Sequence, residues 1–137
     1  MDTTLKLEVH ELLSRAAYAL DEHALEMLGD CFAPEAEFHL QIAGAPPIPP
    51  FVGHTAIMGL FSGAMAAQTD KRRHVVSNIF FDESGDTACR AFSNLTLFGT
   101  ENGVIRLICA GLYRDRFVRR GGHWYITERC LELDLPY

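Results

Sequence analysis

Asp21, His74, Arg129 and Tyr18 are the side chains whose types suit concerted acid–base chemistry. A carboxylate that accepts a hydrogen bond from one imidazole nitrogen fixes the tautomer and leaves the other nitrogen free to take a proton. A guanidinium or a phenol beside the pair can steady a leaving group or a developing negative charge. Asp21 follows Ala16-Ala17-Tyr18-Ala19-Leu20, so a helix running through it puts Ala17 and Tyr18 one turn away on the same face. An acid there equally suits a helix end or the cap of a helix starting near Ala24. His74 stands in Arg73-His74-Val75-Val76-Ser77-Asn78, where strand alternation puts Val76, Asn78 and Phe80 on its face. The bland alternative is a hydrogen-bonded core histidine. Arg129 alternates with Tyr125, Thr127, Leu131 and Leu133. A charge on such an apolar face requires a partner, either a sheet neighbour such as Asp115 or a ligand's oxyanion.

These residues need elements to position them. Leu5, Val9, Leu12, Leu13, Ala16, Ala17 and Leu20 recur at helical spacing, with Thr3 or Thr4 as cap. A second helical pattern runs from Ala24 to Phe32 and stops before Pro34, and a short strand follows over Glu37 to Ile42. Pro46, Pro47, Pro49 and Pro50 make Gly44 to Gly53 a loop, with Ile48 and Phe51 as an apolar flap. A third helix covers Ala56 to Ala67. Beyond Asp70 come four long strands: Arg73 to Asp82, Thr87 to Gly99, Val104 to Val118 and His123 to Leu133. Short turns join them, Asn102-Gly103 and Gly121-Gly122 being the clearest. The predicted class is α+β in one domain over 1–137: N-terminal helices closing the open side of a cone-shaped, strongly curved antiparallel sheet around an apolar pocket. The pocket is predicted to be lined by Phe38, Phe51, Val76, Asn78, Phe80 and Phe92.

Composition excludes several classes of function. The 137 residues are 48% hydrophobic and 22% charged, with a formal net charge of −6, so a general nucleic-acid binder is not expected. Arg114, Arg116, Arg119 and Arg120 are read as a solvated hairpin rim. No apolar run has the length of a signal core or a membrane span, which makes the cytoplasm the expected compartment. Cys31, Cys89, Cys109 and Cys130 are too dispersed for a disulfide framework and are expected as buried free thiols. The histidines lack metal-ligand spacing and no glycine-rich phosphate loop occurs, so neither a metal nor a nucleotide cofactor is expected.

An ordered set of segments carries a family resemblance. It comprises an Asp at a helix junction, Cys31-Phe32-Ala33-Pro34-Glu35-Ala36-Glu37-Phe38, Phe51-Val52-Gly53-His54-Thr55-Ala56-Ile57 and Arg73-His74-Val75-Val76-Ser77-Asn78. Gly85-Asp86-Thr87-Ala88, Gly111-Leu112-Tyr113-Arg114-Asp115-Arg116-Phe117 and Trp124-Tyr125-Ile126-Thr127-Glu128-Arg129 complete it. The set resembles the SnoaL-like branch of the nuclear transport factor 2-like superfamily over nearly the whole chain. That branch includes scytalone dehydratase, hexachlorocyclohexane dehydrochlorinase, polyketide cyclases and the β subunits of ring-hydroxylating dioxygenases. The resemblance implies that Asp21 orients His74. The dehydrochlorinase's arginine, five residues after the strand tryptophan, matches Arg129 after Trp124. The chain departs from scytalone dehydratase at Leu20, where that enzyme has Tyr, and in lacking its second strand histidine. It departs from the dehydrochlorinase at Ala16, where that enzyme has Lys.

The expected function is a cofactor-independent lyase or isomerase, dehydratase-like, acting on a small hydrophobic or aromatic or polycyclic molecule. His74 would act as general base, with Tyr18 or Arg129 assisting the leaving group. The alternative is a non-catalytic assembly subunit or ligand-binding protein resembling the dioxygenase β subunit. Apolar residues on the outer sheet face predict self-association as a dimer or trimer.

Overall fold

Apolar residues at helical spacing put Val9, Leu12, Leu13, Ala16 and Ala19 on the buried face of α1 (Thr3–Asp21). The computed structural model, which describes residues 1–137, continues with α2 (Leu25–Gly29), β1 (Phe32–Ile42), β2 (Phe51–Val52) and α3 (His54–Ala67). Four long strands follow: β3 (Lys71–Ser84), β4 (Ala88–Glu101), β5 (Val104–Arg120) and β6 (His123–Leu133). They form one unclosed six-stranded sheet in the order β2-β1-β6-β5-β4-β3. The helices cover its concave face, and 23 buried apolar residues form the core between them.

Several boundaries differ from the sequence reading. The cap of α1 is Asp2, whose carboxylate accepts the Leu5 N–H at 2.9 Å, and not Thr3 or Thr4. The second helix is only one turn long, because Cys31 and Phe32 turn into the sheet: Cys31 O accepts the Ile126 N–H at 2.8 Å. β1 therefore begins before Pro34, with an irregularity between Phe32 and Glu37 that absorbs the proline. β1 pairs in parallel with β6, so the sheet is mixed and not a pure antiparallel meander. Phe51–Val52 leaves the proline-rich loop to pair with Glu37–Phe38.

Bulges decide which side chains face the core. In β3, Asn78 has φ 56°, and the pairing shifts by one residue between Ser77 and Phe80. Asn tolerates this left-handed conformation better than most residues. The extra residue reverses alternation: Arg72, His74 and Val76 face inward, whereas Asn78 and Phe80 point outward. A second bulge around Thr127 puts Trp124, Ile126, Arg129 and Leu131 on the inner face and sends Tyr125 outward.

Candidate active site

Asp21 is the last residue of α1, and its carboxylate reaches the edge strand β3. Edge strands leave alternate N–H groups unpaired. The His74 N–H is one of these, and it donates to Asp21 Oδ1 at 2.8 Å. The ring Nδ1 lies 2.7 Å from the same oxygen. A carboxylate only accepts, so the contact puts a proton on Nδ1, and in the neutral ring Nε2 is the nitrogen with the lone pair. Both side chains are mostly buried, at 15% and 10% exposure, so solvent competes weakly for the pair.

His74 faces a cavity of about 150 Å³ between the sheet and the helices. Leu60, Phe61, Ala64 and Met65 of α3, Leu20 of α1, and Phe38 and Leu40 of β1 line one side. Leu95, Leu97, Cys109, Leu131 and Leu133 of the sheet line the other, with Tyr137 also at its wall. The polar groups among them are Gln68, Arg72, His74 and Tyr113, besides the phenol of Tyr137. A void of this size takes one six-membered ring. Two larger clefts lie elsewhere on the surface, and neither includes His74 or Asp21.

The remaining predicted site residues are dispersed. Phe38 lines the cavity, whereas Phe51 packs behind it with ring centroids 6.3 Å apart. Val76 faces inward against the core but beyond the cavity wall. Asn78, Phe80 and Phe92 lie on the outer face, where Phe80 and Phe92 stack at 5.0 Å; the Asn78 bulge is the cause for the first two. Tyr18 is 58% exposed and outside the cavity, because its helix face turns to solvent.

Arg129 is fully committed elsewhere. Its guanidinium donates to both oxygens of Asp115, at 2.8 and 3.0 Å, and both side chains are buried. Burial pushes the Asp115 carboxyl upward, and the facing guanidinium opposes that rise. The two-pronged contact is the geometry of an ionised pair. The guanidinium also lies 3.9 Å from the centroid of the Tyr113 ring, so that ring stands between Arg129 and the cavity. The cation that does line the cavity is Arg72, held by Asp70 at 2.9 Å. Gly99 leaves room for Asp70: a Cβ there would fall 2.7 Å from Asp70 Oδ2.

Sequence reasoning passed over Tyr113, Arg72 and Gln68 as site residues. Alternation from Asp115 and Phe117 would have put Tyr113 inside, but no spacing tied it to His74. Burial pushes its phenol up to about 12, so it stays protonated at neutral pH. The hairpin arginines are ion-paired: Arg114 with Glu132, Arg116 with Glu83, Arg119 with Glu8, and Arg120 with Glu35. Burial also raises the thiols of Cys31 and Cys89, to about 11 and about 12. Glu37, His39 and Glu128 bring ligand atoms within 4.8 Å of one another and could hold a cation. They alternate with cavity-lining Phe38 and therefore lie on the sheet's far side.

A model of the SnoaL-like domain matches residues 1–130. The chain belongs to the SnoaL-like family. Members of that family include isomerases, dehydratases and subunits of ring-hydroxylating dioxygenases. Solved structures agree with this SnoaL-like architecture. A protein with a cystatin-like fold from Nostoc punctiforme superposes with a TM-score of 0.82 at 22% identity, covering 99% of this chain and 97% of that one. A Catenulispora acidiphila protein in complex with S-DNPA gives 0.82 at 26% identity, covering 96% and 95%. A Novosphingobium aromaticivorans protein assigned as the beta subunit of a putative aromatic-ring-hydroxylating dioxygenase gives 0.81 at 18%, covering 94% and 88%. No curated protein matches the sequence significantly. In this SnoaL-like chain no helix is long and apolar enough to cross a membrane.

Proposed function

We propose that this SnoaL-like protein is a cofactor-independent lyase or isomerase whose general base is His74, oriented by Asp21. The observation that carries the reading is the orientation of one imidazole: Nδ1 is tied to a buried carboxylate while the ring borders an apolar cavity. Nε2 is then the atom that removes an acidic C–H proton from a ring held against Leu95, Leu97 and Phe61. A positioned base of this kind contributes about 10²–10⁴-fold in rate. The cavity volume favours a single-ring substrate over a polycyclic one. The compartment consistent with four free cysteines is the cytoplasm.

The test works with simple ring ketones in place of the natural substrate. Cyclohexanone and related compounds are incubated with the protein in D2O, and α-proton exchange is followed by NMR. Exchange above buffer that disappears in His74→Ala supports the base. Equal exchange in wild type and His74→Ala would remove it.

A second reading has its own observation. Val75, Phe80, Ile105 and Leu107 expose 44 to 72% of their surface on or beside the outer sheet face. Such an apolar face suits self-association as a dimer or trimer, or assembly with another subunit, and it is compatible with catalysis on the inner face.

A further inference from the structure

Glu37 and Glu128 are neighbours on the outer face of the sheet because two strand irregularities put them there. In β6 the bulge around Thr127 turns Glu128 outward, where unbroken alternation from Trp124 and Ile126 would have buried it. In β1 the shift between Phe32 and Glu37 leaves Glu37 and His39 outward and Phe38 inward. The parallel register then sets Glu37 directly beside Glu128, and His39 beside Cys130 at the next pair on that face.

Two carboxylates opposed on neighbouring strands repel, and a cation between them removes that cost. The arginines nearest in register are spent elsewhere. Arg116, opposite Glu128 on β5, reaches Glu83 at 3.3 Å, and Arg114, opposite Cys130, reaches Glu132 at 3.1 Å. An imidazole joins the carboxylates instead: one ligand atom each from Glu37, His39 and Glu128 lies within 4.8 Å of the other two. All three residues are half-buried. The Cys130 thiol donates to Glu128 Oε1 at 3.4 Å and steadies that carboxylate.

We propose that Glu37, His39 and Glu128 form a zinc site that ties β1 to β6 on the sheet face opposite the cavity. Zinc takes imidazole nitrogen and carboxylate oxygen at about 2.1 Å, which sets tetrahedral donors about 3.4 Å apart. Donors already within 4.8 Å close to that spacing by small rotations of long side chains. The mixed nitrogen and oxygen set selects the ion, since magnesium and calcium favour all-oxygen shells and zinc accepts imidazole. Two carboxylates and a neutral imidazole also match the ion's double charge. Three protein ligands leave a fourth position for water. Parallel ladders are slightly less stable per residue than antiparallel ones, and β1–β6 is the parallel pair of this sheet, so a bond across it strengthens the weaker pairing. The spacing of the histidines gives no hint of the site, because its donors come from strands far apart in the chain. It stands apart from the Asp21–His74 pair and does not depend on His74 as a base.

The test uses the full chain, stripped of metal by chelation, with zinc alone as the probe. Isothermal titration is expected to find one zinc per chain in the wild type and in the control His123→Ala, which alters an exposed histidine at the start of β6. His39→Ala, Glu37→Gln and Glu128→Gln each remove one ligand. Each should weaken binding by more than the roughly 10–100-fold that loss of an outer-shell partner costs. Thermal unfolding separates a lost ligand from a damaged fold. Without zinc, Glu37→Gln should melt no lower than the wild type, because it removes one of two opposed charges. With zinc the wild type melts higher, and the Glu37→Gln variant does not. Failure of zinc to bind the wild type overturns the site. Wild-type affinity in all three variants, or an equal rise in Tm in Glu37→Gln, places the zinc elsewhere and overturns it too.

Discussion

Asp21 Oδ1 accepts two hydrogen bonds from His74, one from the backbone N–H at 2.8 Å and one from ring Nδ1 at 2.7 Å. One atom thus fixes both the strand edge and the imidazole tautomer. Replacing Asp21 by Asn puts a donor-acceptor amide in that place and removes the preference for the Nδ1–H form. At a pH where the ring is neutral, nitrogen-15 NMR is expected to report the Nδ1–H tautomer in the wild type and a mixed tautomer in Asp21→Asn. Ketone exchange in the same variant should fall by roughly 10²–10⁴-fold.

The Arg129–Asp115 pair has a different test. Removing one partner strands a buried charge, so Arg129→Met or Asp115→Ala alone should cost about 3–5 kcal/mol in urea unfolding. Replacing both with apolar residues of similar volume should restore most of that loss. A single variant as stable as the wild type would contradict the pairing.

Asn78 sets the register of β3 through its φ of 56°. Asn78→Gly should preserve stability, and Asn78→Val should lose about 1–2 kcal/mol by thermal or chemical unfolding, because a β-branched residue resists the left-handed region. Unchanged stability in Asn78→Val would mean that the bulge carries no strain.

Alkaline stability follows from the buried thiols and phenol. Cys31, Cys89 and Tyr113 are raised from ordinary values of 9.0, 9.0 and 10.0 to about 11, about 12 and about 12. A raised value means that the fold favours the protonated form, so their contribution is intact below pH 9 and is lost as pH climbs toward 12. Stability of Cys89→Ala should fall less steeply over that window than that of the wild type. Equal slopes would argue against burial of the thiol.

The outer sheet face predicts a concentration-dependent assembly. Sedimentation analysis is expected to find a dimer or trimer, and Leu107→Lys or Ile105→Lys should shift it toward monomer, since both side chains are more than half exposed in the isolated chain. A wild type that is monomeric at every concentration would leave that face unexplained.

Much of this protein was legible from residue order. Apolar periodicity marks α1, and glycine-containing turns mark the hairpins of the long strands, because both signals are local. The Asp21–His74 pairing was also reachable, through the order of motifs along the chain. Register was not: a single inserted residue at Asn78 or Thr127 inverts a strand's faces, and no periodicity rule places it. Tertiary structure therefore decided that Phe80 and Phe92 lie outside, that Arg129 spends its charge on Asp115, and that β1 runs parallel to β6. It also brought Tyr113 and Arg72 to the cavity, from strands whose meeting depends on how far the sheet curls. Local chemistry could say which residue types were available, but only the folded sheet could say which of them share one hollow.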